Sequence, residues 1–366
     1  MGLTREGYRI AVAGADDGPS RASGASGASG ASGASGADEV YEHCGLERPV
    51  ARLAELAGES PDGFAVVLDS ANGIMDAPLA ALGIPVLRAD PPLLTDGRVT
   101  ARSLAALGRS RPEALTALPP DGWTLAGREE AITAAEAASG PVERELAEQG
   151  LLLAGGGGGG GAEPLVALTF DDGPHPVHTP QVLDVLARYG APAAFFCIGL
   201  HALAHPGVVR RIAAEGHTLG NHSWSHAYLP DLGPIGLRAQ LGFTADALAH
   251  ACGGTRPSRW LRPPYGGRSP ELLTAVAGSG LTTALWDVDA KDWSRPGPGV
   301  VAERVLSGVG PGSVVLMHDG GGDRSQTVAA LPEVITGLRR RGYRIVGLDE
   351  LLAARPVRAV RPAASL

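Results

Sequence analysis

Val166-Ala-Leu-Thr-Phe170 is an apolar run of strand length, and Asp171-Asp172-Gly173-Pro174 follows it at once. Such a run, ended by a turn, reads as a strand buried on both faces in a parallel sheet. Two adjacent carboxylates at its end repel each other unless a cation sits beside them. A divalent metal meets that need, one carboxylate binding it while its neighbour stays free as a base. Asp-Gly-Pro is equally good chemistry for a plain turn or helix cap.

Outward from this stretch, strand-like runs fall at 166–170, 193–198, 260–262, 282–286, 313–317 and 344–346. Helical patterns fill the gaps near 179–189, 206–215, 232–250, 270–278, 299–308 and 326–341. The alternation predicts an α/β fold in which crossover helices wind or close a parallel sheet. Polar residues gather just after several strands, the face where a (β/α) barrel places its chemistry.

Four of those clusters matter. Asn221-His222-Ser-Trp-Ser-His226 sets two histidines four residues apart, and in a helical turn both imidazoles would face one way. Two imidazoles and one carboxylate make a common catalytic zinc shell with an open position. Arg262-Pro-Pro264-Tyr265-Gly266 stiffens a backbone after a strand, and Arg262 can pair with a carboxylate. Trp286-Asp287-Val-Asp289-Ala-Lys-Asp292-Trp293 and Leu316-Met-His318-Asp319 add an acid cluster and a histidine suited to proton transfer near neutrality. Each has an ordinary reading as a salt bridge, cap or core aromatic. Their order along the chain, each at a strand end, favours a shared site.

The N-terminal part is less legible. Residues 22–36 are Ala-Ser-Gly triplets and 155–161 are consecutive glycines, neither able to bury apolar surface. The first reads as a flexible tract and the second, within 155–162, as a linker. Residues 1–154 then form a smaller α/β N-terminal region, 163–355 a domain expected to fold from about Glu163 onward, and 356–366 a tail. Runs at 64–68 and 84–87 with a helical stretch at 78–82 predict a parallel βαβ element. Asp69 and Asn72 after its first strand either bind a ligand or cap the helix. Residues 100–150 look helical, with Gly140-Pro141 as a break.

The net charge of −8 speaks against a nucleic-acid binder and against an anionic membrane surface. No apolar run approaches a membrane span, and the opening residues lack a secretory pattern, so a cytoplasmic location is expected. Cys44, Cys197 and Cys252 show no CxxC spacing, which argues for free thiols rather than a disulfide framework or a cysteine zinc site.

TFDDGP, NHSWSH, RPPYG, DAKDW and LMH together resemble the motif blocks of the polysaccharide deacetylases, carbohydrate esterase family 4 or the NodB homology domain. The resemblance runs from about 165 to 352 and includes chitooligosaccharide and peptidoglycan N-acetylglucosamine deacetylases. Ser223 stands where the family often has Thr. The resemblance implies a distorted (β/α) barrel with fewer than eight strands, and removal of N-acetyl groups from N-acetylglucosamine-containing carbohydrate. It implies Asp171 as general base and His318 as general acid. Arg262 would orient Asp171, Asp292 would tune His318, and the Tyr265 amide would meet the oxyanion. Asp172, His222 and His226 would hold a divalent metal, zinc before cobalt, manganese or nickel. Pro264, Tyr265, Trp293 and Leu316 would line the substrate site. Alternatives are an O-acetyl esterase or another C–N hydrolase on the same fold, and an inactive carbohydrate-binding module.

Overall fold

The computed structural model describes residues 129–156, 164–254 and 259–355, together with 2–4, 7–10, 39–42, 47–59, 64–68, 79, 82, 84–88 and 101–118. The chain divides into two compact units, one of Met1–Glu129 with Asp231–Ile235 and one holding the remainder.

In the first unit, Gly2–Thr4, Gly7–Ile10 and Glu39–Glu42 form an antiparallel sheet. Val66–Leu68 pairs with Val86–Arg88 in parallel, as the strand–helix–strand pattern predicts, and Thr116–Leu118 adds an antiparallel neighbour. Helices Glu47–Glu59 and Ala101–Ser110 belong to the same unit. Asp69, Asn72, the Ala-Ser-Gly tract and the tail 356–366 lie outside the described residues.

The second unit is built on a nine-stranded sheet, parallel at every pairing. Its strands are β1 (Leu152–Leu153), β2 (Leu165–Asp171), β3 (Ala194–Cys197), β4 (Thr218–Asn221), β5 (Trp260–Leu261), β6 (Thr282–Ala284), β7 (Val288–Asp289), β8 (Ser313–His318) and β9 (Arg344–Ile345). Their spatial order is β7-β8-β2-β3-β4-β5-β6-β1, with β9 paired to the start of β2. The bent run 282–289 pairs with β5 through its first residues and with β8 through its last, which curls the sheet round toward its own beginning. This is the distorted barrel, and its irregularity sits in that bend.

The crossover helices are α2 (His178–Tyr189), α3 (Gly199–Ala204), α4 (Pro206–Ala214), α5 (Pro234–Ala251), α6 (Pro270–Gly278), α7 (Pro298–Gly308) and α8 (Ser325–Arg340), followed by α9 (Leu348–Ala353). Local chemistry explains their ends. Proline opens α4, α6 and α7, where its missing N–H costs nothing and its fixed φ suits a first turn. Ser269 caps α6 by accepting the Leu272 N–H, and Gly190 closes α2 in the left-handed region at φ 54°. β2 is buried from Val166 to Asp171, so its continuous apolar pattern is that of a strand covered on both faces. Leu153, Ala167, Ala194, Phe196, Trp260, Ala284 and Val314 pack into one core cluster drawn from six of the strands.

Three expectations change. Helix α1 (Glu129–Glu148) runs straight through Gly140-Pro141, because a single proline removes one hydrogen bond while the tertiary contacts of its apolar face persist. The linker expected at 155–162 does not separate two domains. β1 precedes it and hydrogen-bonds to β6, so 130–154 belongs with the sheet. Gly155 packs so closely on Asp287 that a Cβ would collide with the carboxylate, and Gly156 accepts a hydrogen bond from Arg355. Only these two of the glycines are described. Finally, β4 was not foreseen as a strand; Gly220 interrupts its apolar pattern because Phe196 occupies the space a side chain would need. Among the described residues no helix is long and apolar enough to cross a membrane.

Candidate active site

Asp171 ends β2, and Asp172 follows it with φ 73°, a left-handed conformation rare in a non-glycine residue. His222 follows the last residue of β4, Arg262 the last of β5, and His318 ends β8 directly across from Asp171 in register. The parallel sheet thus brings residues up to 147 positions apart to one rim, the C-terminal ends of its strands.

His222 and His226 do not lie on a helical turn, contrary to expectation. Ser223 and His226 both have positive φ, at 62° and 60°, so the loop folds back on itself and turns both rings toward Asp172. Side chains outside the motif hold it there. Asn221 accepts the Ser223 N–H and donates to Leu241 O, both at 2.9 Å. Gln240 on α5 accepts the N–H groups of Trp224 and Ser225 at 2.8 and 3.0 Å, and donates to the Ser225 hydroxyl. Sequence reasoning missed Gln240, since nothing marks one helical glutamine among others before the fold closes.

His222 Nε2 lies 3.4 Å and His226 Nε2 3.1 Å from Asp172 Oδ1. The three potential ligand atoms all lie within 4.8 Å of one another. Asp172 Oδ1 is buried and makes no well-formed hydrogen bond despite those two nitrogens. His222 Nδ1 stands 2.7 Å from the Arg262 carbonyl, which can only accept, so in the neutral ring the proton sits on Nδ1 and the Nε2 lone pair faces the carboxylate. A buried carboxylate oxygen without a proper donor, facing a ring nitrogen with its lone pair outward, fits a divalent cation. Burial works to raise the Asp172 pKa, but the charge of His226 and the closeness of both histidine rings outweigh it and hold the carboxyl well below its usual range. His201 adds a hydrogen bond to the Asp172 backbone oxygen at 2.8 Å.

Asp171 has a different partner. Arg262 donates to its Oδ1 at 2.8 Å and to Thr169 Oγ1 at 2.7 Å. The guanidinium is fully buried, also donates to Ala284 O and Leu285 O at 3.2 Å, and lies over the Phe196 ring at 4.3 Å. An arginine so fixed cannot follow a moving charge; it holds Asp171 in one place. Asp171 Oδ2 faces His222 Nε2 at 3.7 Å, so both carboxylates share one pocket with His222.

Opposite stands a histidine–carboxylate pair. His318 Nδ1 is 2.7 Å from Asp292 Oδ1, and the His318 N–H donates to Asp292 Oδ2 at 2.9 Å. Thr327 also donates to Oδ2. Burial works to lower the His318 pKa, but the hydrogen bond and charge of Asp292, aided by Asp172 and Asp171, win and push it up to about 9. Beside it, burial raises the Asp319 carboxyl to about 7 although Thr179 donates to it at 2.5 Å.

The remaining expected residues fall on the same rim or beside it. Tyr265 is left-handed at φ 61°, ψ 8°, and its ring meets that of His226 edge-on at 4.4 Å. Pro264 and Leu316 are buried, whereas Trp293 is 56% exposed and stands open to solvent.

Comparison with known proteins agrees with this geometry. Residues 158–284 match the polysaccharide deacetylase family model. A chitooligosaccharide deacetylase of Sinorhizobium fredii is 43% identical over 197 residues, 51% of this chain and 91% of the relative. A peptidoglycan-N-acetylglucosamine deacetylase of Bacillus cereus is 38% identical over 192 residues, 52% of this chain and 89% of the relative. A solved peptidoglycan N-acetylglucosamine deacetylase superposes with a TM-score of 0.54 at 32% identity, covering 59% of this chain and all of that one. A CE4 family pseudoenzyme from Bacillus anthracis also superposes, with a TM-score of 0.50 at 29% identity over 55% of this chain and 68% of that one. Fold alone therefore does not decide activity. With relatives matched over nine-tenths of their length and the five motif blocks converging on one strand-end rim, the chain belongs to the polysaccharide deacetylase family.

Proposed function

We propose that the chain hydrolyses the N-acetyl group of N-acetylglucosamine residues in oligo- or polysaccharide, releasing acetate and a free amino sugar. The observation that carries this reading is the division of labour around Asp171 and Asp172. One carboxylate is held by a buried arginine, its neighbour faces two histidines, and a carboxylate-paired histidine stands across from both.

Asp172, His222 and His226 would hold a divalent cation, zinc by the donor set, and its Lewis acidity would serve both the acyl oxygen and the attacking water. Asp171 removes the proton from that water; Arg262 keeps its Oδ2 aimed into the pocket. Charge developing on the acyl oxygen meets the Tyr265 amide N–H, preorganised by the rigid Pro263-Pro264 backbone. His318 carries a proton at neutral pH and gives it from Nε2 to the departing amine nitrogen, while Asp292 holds Nδ1. Leu316 from the buried strand and Trp293 from the solvent side would flank the acetyl methyl group. Relatives named for chitooligosaccharide and for peptidoglycan support an N-acetylated carbohydrate as substrate.

Acetate release is the test, measured on chitooligosaccharides, peptidoglycan fragments and acetylxylan, before and after chelation and after zinc is restored. Chelator-sensitive release from the first two supports the proposal. Release from acetylxylan alone would make the protein an O-acetyl esterase, and release from none would leave it a binding module.

A further inference from the structure

We infer that Arg268, clamped by Glu136 and Glu143 of helix α1, is a positioning residue for the Tyr265 peptide, so that a segment ahead of the family match helps shape the catalytic site. The inference rests on the role proposed above for the Tyr265 amide.

The first observation is strain. Tyr265 at φ 61° and Gly266 at φ 67° are consecutive left-handed residues. A non-glycine residue there is strained and persists only where its surroundings over-determine it. Gly266 packs within 2.8 Å of the Trp286 ring as judged from an added Cβ, so a side chain at 266 is excluded. The turn closes through Gly266 N–H to Pro263 O and Gly267 N–H to Pro264 O, at 3.1 and 2.9 Å.

The second is the anchor. Arg268 Nη1 donates to the Gly266 carbonyl at 2.8 Å, one residue on from the strained tyrosine. The same guanidinium is gripped by two carboxylates, Nε to Glu143 Oε1 at 2.5 Å and Nη1 to Glu136 Oε1 at 3.1 Å. The glutamates lie seven residues apart on α1 and so share one helix face. All three side chains are only about a fifth to a third exposed.

The third is that α1 is itself held. Leu146 and Leu152 pack with Leu273 and Leu285, and β1 pairs with β6. A helix so docked offers Arg268 a fixed partner rather than a floppy one. The family match begins at 158, after α1 and β1 have ended, so this brace comes from outside it. The path runs from α1 through Arg268 to the Gly266 carbonyl, and so to the Tyr265 peptide beside the metal-site histidine His226.

The competing account is an ordinary surface ion pair, adding little to stability and nothing to catalysis. Kinetics separate the two. In the full-length zinc-loaded protein, with chitotetraose as substrate, Arg268→Gln and the double variant Glu136→Gln/Glu143→Gln should each lower kcat by roughly ten- to a hundredfold, the scale of a displacement of about 1 Å. KM should stay within about twofold and zinc content should not change. The triple variant should be no slower than Arg268→Gln, because all three changes break one path. Arg268→Lys keeps the charge but loses the fork, and should recover only part of kcat. Amide exchange across 264–267, read by mass spectrometry, should rise in Arg268→Gln. Unchanged kcat, additive losses in the triple variant, or full activity in Arg268→Lys would overturn the inference. If the wild type releases no acetate, the deacetylase reading fails by itself. The brace is then judged by exchange alone, and unchanged protection of 264–267 in Arg268→Gln and Arg268→Lys would sink it.

Discussion

Two neighbouring carboxylates with opposite duties make the sharpest residue-scale test. Asp171→Asn keeps the neutral shape and leaves Asp172, His222 and His226 intact, so zinc content should persist while kcat falls by several orders of magnitude. Asp172→Asn should lose the metal. Metal analysis of both variants checks the assignment, and the reverse pattern would exchange the two roles. As the proposed acid, His318 should set the alkaline limb of the rate profile. Its folded pKa of about 9 lies above the ordinary value of 6.5, so the pair with Asp292 stabilises the fold fully below pH 6.5, a contribution lost as pH rises through about 9. Activity needs the same proton and should fall over the same range. A bound cation near Asp172 opposes protonation, which places the limb at or below that value. Asp292→Asn removes the largest raising influence and should move the limb toward neutrality; pH–rate profiles of kcat/KM for both proteins decide it.

At the scale of elements, the loop 222–226 depends on α5. Gln240 satisfies two backbone N–H groups that have no helix or ladder to receive them. Gln240→Ala leaves those buried donors unmet, at about 1–3 kcal/mol, and loosens both histidines. Zinc affinity should drop about 10- to 100-fold, as for other residues that orient metal ligands, with circular dichroism unchanged. Titration against a competing zinc chelator measures it; wild-type affinity would show the loop to be held by its own backbone. The strand β5 feeds a different dependence. Arg262 is a buried charge whose partner is Asp171, and Arg262→Ala should destabilise by about 3–5 kcal/mol because it strands that carboxylate. Denaturant unfolding of the metal-free protein checks this away from any effect on catalysis.

At the scale of the whole molecule, the second unit starts before the glycine tract. Leu152 and Leu153 are buried in β1, and their partners in β6, Thr283 and Ala284, lie 131 positions later. A chain beginning near Glu163 would expose the β6 edge together with Leu273 and Leu285. Each buried leucine contributes about 1.5–3 kcal/mol, so that truncation should unfold at clearly lower temperature than one beginning at Glu129. Calorimetry of the two, with kcat on a small substrate, tests it. Equal melting temperatures would show β1 and α1 to be dispensable to the sheet.

Chemistry that is local in the chain was legible from the residues. Asp171, Asp172, His222, His226, Arg262, Asp292 and His318 each sit in a short motif beside a turn or strand, and the strand–helix alternation announced the parallel sheet. What needed tertiary structure was every feature set by distant partners. Leu152-Leu153 is too short a run to announce a strand, and becomes one only when β6 supplies its hydrogen bonds. The histidine loop looked helical because spacing carries no sign of φ, and only packing against Gln240 and Asn221 makes left-handed residues affordable at Ser223 and His226. Residue type determined which groups could do chemistry; the cost of burying unpaired polar groups and strained backbone, met by contacts far along the chain, decided where they point.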